Sequence, residues 1–345
     1  MKLQTALSYD DVLLVPQYSD IVSRADVSIG NWLDEERGLW FDIPLIAAPM
    51  DTVVEDAMAI QTASMNMLSI VHRYNTIEKQ CDIASTVFAE VGNQYTGFAI
   101  GATDDYLERA KALISEGAKI ICIDVAHGDH VAVEAALNNL RNALGTKIHI
   151  MAGNIATPLA YQHMRKWGAD SVRVGIGGGS CCTTRIQTGH GMPTLQSVYD
   201  IMNECECSIT IVADGGLRNS GDITKALAVG ADFCMIGSLL AGSSCTPGEI
   251  LTDSAGTKKK IYRGMASRDA QMDWRGKTSS LEGVATTLSY KGETKSVIDD
   301  LRRGIASGFS YSGAKTITEL WQKARFVQQT SAGAIESAPH ILSSK

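Results

Sequence analysis

Eight short runs of continuous apolar residues punctuate the chain: IPLIAAP (43–49), MLSIVHR (67–73), TGFAIG (96–101), KIICIDVA (119–126), KIHIMAGN (147–154), SVRVGIG (171–177), SITIVADGG (208–216) and FCMIGSLLAG (233–242). Continuous rather than alternating apolarity is expected of strands covered on both faces, as in a parallel sheet. The stretches between them, such as DDYLERAKALISEG (104–117) and GDITKALAVGA (221–231), carry apolar residues at the spacing of amphipathic helices. Strand–helix units repeated in series predict a (β/α)8 barrel, with an open doubly wound sheet as the alternative.

Polar and glycine residues gather where these runs end: Asp51 and Thr52, His72, Asp124, Asn154, the loop 175–185, Asp214 with Gly215 and Gly216, and Gly237 with Ser238. Any one of them is explained as a turn former. In a barrel they would share the C-terminal rim, where such folds carry their chemistry, so the set predicts a site. After residue 242 the periodicity fades. Residues 243–295, rich in Gly, Ser, Thr and Lys, read as an irregular flap or lid hanging over that rim, before VIDDLRRGIASG (297–308) and ITELWQKARFVQQ (317–329) resume as helices. Residues 1–345 are thus expected to form a single catalytic barrel domain that includes its lid.

Composition narrows the function classes. A net charge of −7 and a pI near 5.5 argue against a broad nucleic-acid face, and the basic run Lys258 to Lys260 reads as a solvated loop. With 45% hydrophobic and 20% charged residues, and no apolar stretch near the ~20 residues that span a bilayer, a membrane role is not expected. The start, MKLQTALSYDD, lacks the apolar core and cleavage site of a secretory signal, which points to the cytoplasm. Among eight cysteines there is no C-x-x-C pair, so a structural zinc site is not expected; Cys122 and Cys234, inside apolar runs, should pack as small hydrophobes.

The stretch GIGGGSCCTTR (175–185) follows a strand and precedes a helical segment. Glycines there suit backbone N–H groups turned toward an anion. It matches neither the G-x-x-x-x-G-K-[ST] phosphate loop nor a dinucleotide fingerprint at a first βα turn. Two thiols beside Thr183, Thr184 and Arg185 equally suit an activated nucleophile, or an inert pair in a tight turn. The residues alone leave these readings open.

The same stretch resembles the G-[IV]-G-P-G-S-x-C-T-T-R signature of the IMP dehydrogenase and GMP reductase family, with Gly178 where that family usually has proline. SYDDVLLVP (8–16), AAPMDTV (47–53), IDVAHG (123–128), AGN (152–154), ADGG (213–216), IGSLLAG (236–242), YRGMAS (262–267) and the EG of LEGV (281–284) agree in the same order. The resemblance implies a barrel that binds a purine nucleotide. It implies that Cys182, directly before the two threonines, attacks C2 of the purine to give a thioimidate that exchanges hydride with a nicotinamide cofactor, while Cys181 falls on the variable position. Thr184 and Glu282 match the pair that handles the group entering or leaving at C2. Ser180, Gly216, Gly237, Ser238 and Tyr262 match phosphate contacts, Asp214 the ribose contact, and Met50, Gly264, Met265 and Ala266 the base contacts. Asp124, Asn154 and Arg173 match cofactor positions. A monovalent cation, potassium, is implied on the carbonyls of Gly177, Gly179 and Cys182, completed by a neighbour's segment like AGAIESAPH (332–340), in a homotetramer.

Within the family, a dehydrogenase hydrolyses the thioimidate with a flap bearing an Arg-Tyr pair, whereas a reductase releases ammonia from GMP and needs no such flap. Here the segment between YRGMAS and EG is RDAQMDWRGKTSSL, 14 residues without an Arg-Tyr pair. HGDHVAVEAALNN follows the fourth run with no regulatory insert, and SRADV (23–27) is reductase-like, whereas AAPMDTV, YRGMAS and AGAIESAPH look more like a dehydrogenase. The balance favours an NADPH-dependent GMP reductase. The alternatives are an IMP dehydrogenase lacking regulatory domains and using NAD+, and a nucleotide-binding protein without turnover.

Overall fold

A computed structural model of the chain describes residues 3–337 and 339. Eight parallel strands close into a barrel, and they coincide with the eight apolar runs: Leu45–Ala47, Leu68–Val71, Thr96–Ile100, Ile120–Asp124, His149–Ile155, Ser171–Val174, Thr210–Asp214 and Phe233–Ile236. The last strand pairs back onto the first, with Ile236 opposite Ala47. The fold is a (β/α)8 barrel, and the open sheet is excluded.

Burial on both faces explains the unbroken apolarity. Along Ile120–Asp124, Ile120 and Cys122 join Ile46, Ile70, Met151 and Phe233 in the barrel interior, while Ile121 and Ile123 pack outward against the helices. Burial of Cys122 pushes its thiol up to about 12, so it stays protonated and inert. Helices follow the strands around the outside; the last, Thr294–Tyr311, completes the ring after the lid.

The N-terminal end of the barrel is closed by a hairpin, Asn31–Asp34 and Leu39–Phe41, whose Leu33, Leu39 and Phe41 plug the interior. Asp34 anchors it. Its carboxylate bonds the buried His149 Nδ1 at 2.8 Å and pairs with Arg37, while His149 Nε2 meets Ser171 Oγ at 2.8 Å. Burial works against the Asp34 charge, but the His149 and Arg37 bonds outweigh it and hold the carboxyl at about 2. A depressed carboxyl pKa adds stability above the unfolded-state value and loses it as pH falls through the folded-state value. Asp34→Asn should therefore destabilise by about 2 kcal/mol at pH 7, with the deficit vanishing between about pH 4 and pH 2, as read from denaturant midpoints across that range.

Two segments differ from expectation. Residues 243–295 are not irregular: Leu251–Thr252, Lys258–Arg263 and Ala285–Ser289 form a three-stranded antiparallel sheet, and Arg268–Arg275 a helix capped by Ser267 Oγ and ended by left-handed Gly276. At Lys260 and Ile261 the expected burial is inverted. Ile261 is exposed while Lys260 is buried, its Nζ donating to the Thr246 carbonyl, so the basic run is a strand and not a solvated loop. The helix read over 317–329 stops at Lys323, and Phe326–Gln328 becomes a strand paired with Val12–Leu14.

Candidate functional site

The C-terminal rim is built around glycines that no other residue could replace without strain. Gly175 leaves the sixth barrel strand at φ +145°, and a Cβ on it would lie 1.9 Å from the Asp214 carbonyl oxygen. Gly215, at φ +92°, lies so near Gly178 that a Cβ would be 3.0 Å from its carbonyl carbon. The loops after strands six and seven thus touch backbone to backbone, leaving room above for a ligand. Gly175→Ala should cost at least ~3 kcal/mol and abolish nucleotide binding, measurable by thermal melting and by titration with the nucleotide.

The lid sheet is tied to the cysteine loop. Thr183 N donates to the Glu282 carbonyl at 2.9 Å and Val284 N to the Cys181 carbonyl at 3.0 Å. This pairing sets Glu282 against Thr184, although 98 positions separate them in sequence. The Cys182 thiol donates to Thr184 Oγ1 at 3.2 Å, Thr184 Oγ1 donates to Glu282 Oε2 at 2.7 Å, and Ser280 Oγ donates to Glu282 Oε1 at 2.9 Å. A thiol, a hydroxyl and a carboxylate in sequence form a path for a proton. Cys181 is buried, and burial pushes its thiol up; Cys182 is part-exposed.

Arg263 fastens the lid to the barrel. It bonds Asp51 Oδ2 through Nε at 3.0 Å and Nη2 at 2.7 Å, and Asp273 of the lid helix through Nη1 at 2.6 Å.

Below the lid lies a cavity of about 340 Å³. Cys182, Thr184 and Glu282 line it, together with Met50, Ser180, Asp214, Tyr262, Gly264, Met265, Ala266, Asp124, Asn154, Arg173, Gly177 and Gly179. Gly216, Gly237 and Ser238, expected at the phosphate, do not line it; Gly237 lies next to two residues that do, since a Cβ on it would meet Met50 Sδ at 3.0 Å and Tyr262 Oη at 3.2 Å. Ser180 Oγ lies 3.2 Å from Tyr262 Oη, and burial pushes the Tyr262 phenol up to about 12, so it remains a donor.

On the opposite wall Arg173 bridges two carboxylates, Asp124 through Nη1 and Asp214 through Nη2 at 2.8 Å. Burial opposes the Arg173 charge, yet Asp214 and Asp124 hold its pKa well above the ordinary value. Asp124 is thus an ion-pair partner rather than a helix cap; His130 caps the following helix. Asn154 Nδ2 donates to Asp214 Oδ2 and to the Gly175 carbonyl, both at 2.8 Å, and its Oδ1 is buried without a partner. A cavity-lining residue with a spare acceptor fits a ligand that carries an amide N–H, as a nicotinamide does.

Residues 6–340 match the family model described as "IMP dehydrogenase / GMP reductase domain". The chain belongs to the IMP dehydrogenase / GMP reductase family. Similar curated relatives include an inosine-5'-monophosphate dehydrogenase of Cryptosporidium parvum, 34% identical over 97% of this chain and 94% of that protein. They also include a GMP reductase of Buchnera aphidicola subsp. Acyrthosiphon pisum, 34% identical over 94% of each. Among solved structures, a cysteine-to-alanine variant of a Trypanosoma brucei GMP reductase in complex with guanosine 5'-monophosphate superposes with a TM-score of 0.91 at 27% identity, covering 98% of both chains. Membership makes the protein a purine-nucleotide oxidoreductase that uses a nicotinamide dinucleotide.

The family motifs pass over two residues that line the cavity, Arg73 and Tyr74. The end of the second apolar run drew attention to His72, but His72 is buried and bonds Glu55, the Tyr74 N–H and Gln80. Arg73, one position on, lines the cavity in its place. The expected cation segment 332–340 begins within an exposed helix, Ser331–Glu336; its Ala338 and His340 lie outside the described residues. Among the described residues, no helix is long and apolar enough to cross a membrane.

Proposed function

We propose that the protein is a GMP reductase, converting GMP, NADPH and a proton to IMP, NADP+ and ammonia. The hydrogen-bonded chain from Cys182 through Thr184 to Glu282 supports covalent chemistry at C2, and the observation that favours the reductase is the lid with one short helix and no Arg-Tyr pair. The Cys182 proton passes through Thr184 to the Glu282 carboxylate, and the sulfur adds to C2 of GMP. Glu282 returns the proton to the 2-amino group, the C2–N bond breaks, and ammonia leaves a thioimidate on Cys182. A nicotinamide held beside C2 by Asp124, Asn154 and Arg173 would supply the hydride that C2 takes up. Breaking the C2–S bond would then free IMP and leave a Cys182 thiolate, which takes up the one proton consumed overall and returns to the thiol.

Ser180 and Tyr262 would donate to the phosphate, Asp214 would accept from the ribose, and Met50, Gly264, Met265 and Ala266 would bound the base. Gly216, Gly237 and Ser238 would support the phosphate end. Asp124, Asn154 and Arg173 would form the nicotinamide wall. A potassium ion on the carbonyls of Gly177, Gly179 and Cys182, and a homotetramer supplying its remaining ligands, belong to the same reading. The lid supports reductase over dehydrogenase: between Ser267 and Glu282 it presents one short helix and no Arg-Tyr pair that would activate water.

Nicotinamide absorbance in two parallel reactions tests this. GMP with NADPH should lose absorbance and release one ammonia per dinucleotide oxidised, while IMP with NAD+ stays silent. Gain of absorbance in the second reaction, with XMP formed, would instead make the protein an IMP dehydrogenase; silence in both would leave a nucleotide-binding protein.

A further inference from the structure

Few atoms hold Glu282 in place. Among the described residues its carboxylate has two hydrogen bonds, from Thr184 Oγ1 to Oε2 at 2.7 Å and from Ser280 Oγ to Oε1 at 2.9 Å, and no ion pair. The chain leading to it is as sparsely supported. Residues 277–281 belong to no helix or strand, and among the described residues their backbone makes no hydrogen bond to another backbone group. Main-chain bonding stops at Gly276, which ends the lid helix, and resumes where Thr183 N donates to the Glu282 carbonyl.

One side chain spans that interval. Gln271, on the buried side of the lid helix beside Ala270, is only 4% exposed. Its Oε1 accepts from Ser279 N at 2.7 Å and from Ser279 Oγ at 3.1 Å. Its Nε2 donates to the Ser280 carbonyl at 2.9 Å and to the Ala266 carbonyl at 3.1 Å. Two lone pairs and two N–H groups are thus all matched, which is the full capacity of an amide. Gln271 bonds the N–H of Ser279 and the C=O of Ser280 much as a neighbouring strand would. It also joins Ala266, placed above at the wall around the base, to the residue whose hydroxyl holds Glu282. An apolar side chain in its place would leave these groups without their partner.

We propose that Gln271 is a positioning residue for the reaction at C2: it fixes Ser280, so that Ser280 Oγ occupies Glu282 Oε1 and leaves Oε2 directed at Thr184. The inference rests on the acid/base part of the reading above. Without the clamp, a glutamate at the end of an unsupported loop samples several rotamers, and misplacing a reacting group by about 1 Å can cost on the order of a hundredfold in rate. The lid helix thereby gains a task other than activating water. It holds the acid/base carboxylate still.

A double-mutant cycle tests the proposal. Gln271→Met keeps the volume and the helix propensity but removes all four bonds. It should lower kcat for GMP about thirtyfold and change GMP affinity by less than about threefold. Added to Glu282→Gln, the same change should cost less than about twofold more, because the group it positions is already lost. Ser280→Ala, at an exposed position, should lower kcat about fivefold and likewise lose its effect beside Glu282→Gln. Losses of equal size with and without Glu282→Gln would overturn the proposal, showing that Gln271 supports the lid alone. An effect confined to KM, or an unchanged kcat in Gln271→Met, would overturn it too. The wild-type protein reports separately on the reading beneath: turnover of IMP with NAD+ instead of GMP would displace the reductase, and the cycle measured in that reaction should show the same non-additivity. No turnover of either nucleotide would remove the acid/base role of Glu282 and the proposal with it.

Discussion

Cys182→Ala should lower turnover of GMP by at least about a thousandfold while GMP still binds, whereas Cys181→Ala should retain turnover within about threefold of wild type. The two sulfurs are neighbours in sequence but occupy different surroundings. Cys182 is part-exposed in the cavity, with its thiol directed at Thr184 Oγ1, and removing it leaves the purine with no nucleophile. Cys181 is buried beneath the lid strand, its carbonyl bonded to Val284 N. Steady-state rates with isothermal binding of GMP separate the cases. Equal loss of turnover in both variants would place the nucleophile wrongly or show that the loop tolerates no change.

Glu282→Gln should depress turnover by about a hundredfold to a thousandfold and change GMP affinity by no more than about twofold. Glutamine keeps the length and an acceptor for Thr184, so the lid stays zipped to the cysteine loop, but the amide can neither take the thiol proton nor return it to the leaving amine. The loss should therefore fall on kcat. A change confined to KM would mean that Glu282 binds rather than transfers protons. Thr184→Val should reproduce much of the effect, because it cuts the link between the 3.2 Å and 2.7 Å bonds while leaving both end groups in place.

The barrel was legible because each strand is buried twice, once toward the interior and once toward the helices, which writes an unbroken apolar run for every strand. The lid was not, because its strands are largely exposed and their charged inward positions, Lys260 and Arg263, look like surface. The strand Phe326–Gln328 was hidden for another reason: it is three exposed residues long, and its partner Val12–Leu14 lies more than 300 positions away, beyond any local pattern.

At the site, the glycine spacing marked the loop but could not choose between two adjacent thiols. Their roles came from the family signature, and the structure adds the difference in burial between them. Glu282 had no signal of its own, since only the antiparallel pairing at Gly283 and Val284 brings it to Thr184. Arg73 and Tyr74 went unread because His72, the more conspicuous chemistry in VHRY, proves to be a buried structural group.

The most direct measurement is acid quenching of the protein during turnover with GMP and NADPH, followed by mass analysis and fragmentation of the peptide spanning residues 174–185. The expected result is a purine nucleotide adduct equal to GMP less ammonia, located on Cys182 and absent from Cys182→Ala. An adduct on Cys181, or steady ammonia release with no adduct on either cysteine at any quench time, would contradict covalent catalysis by Cys182.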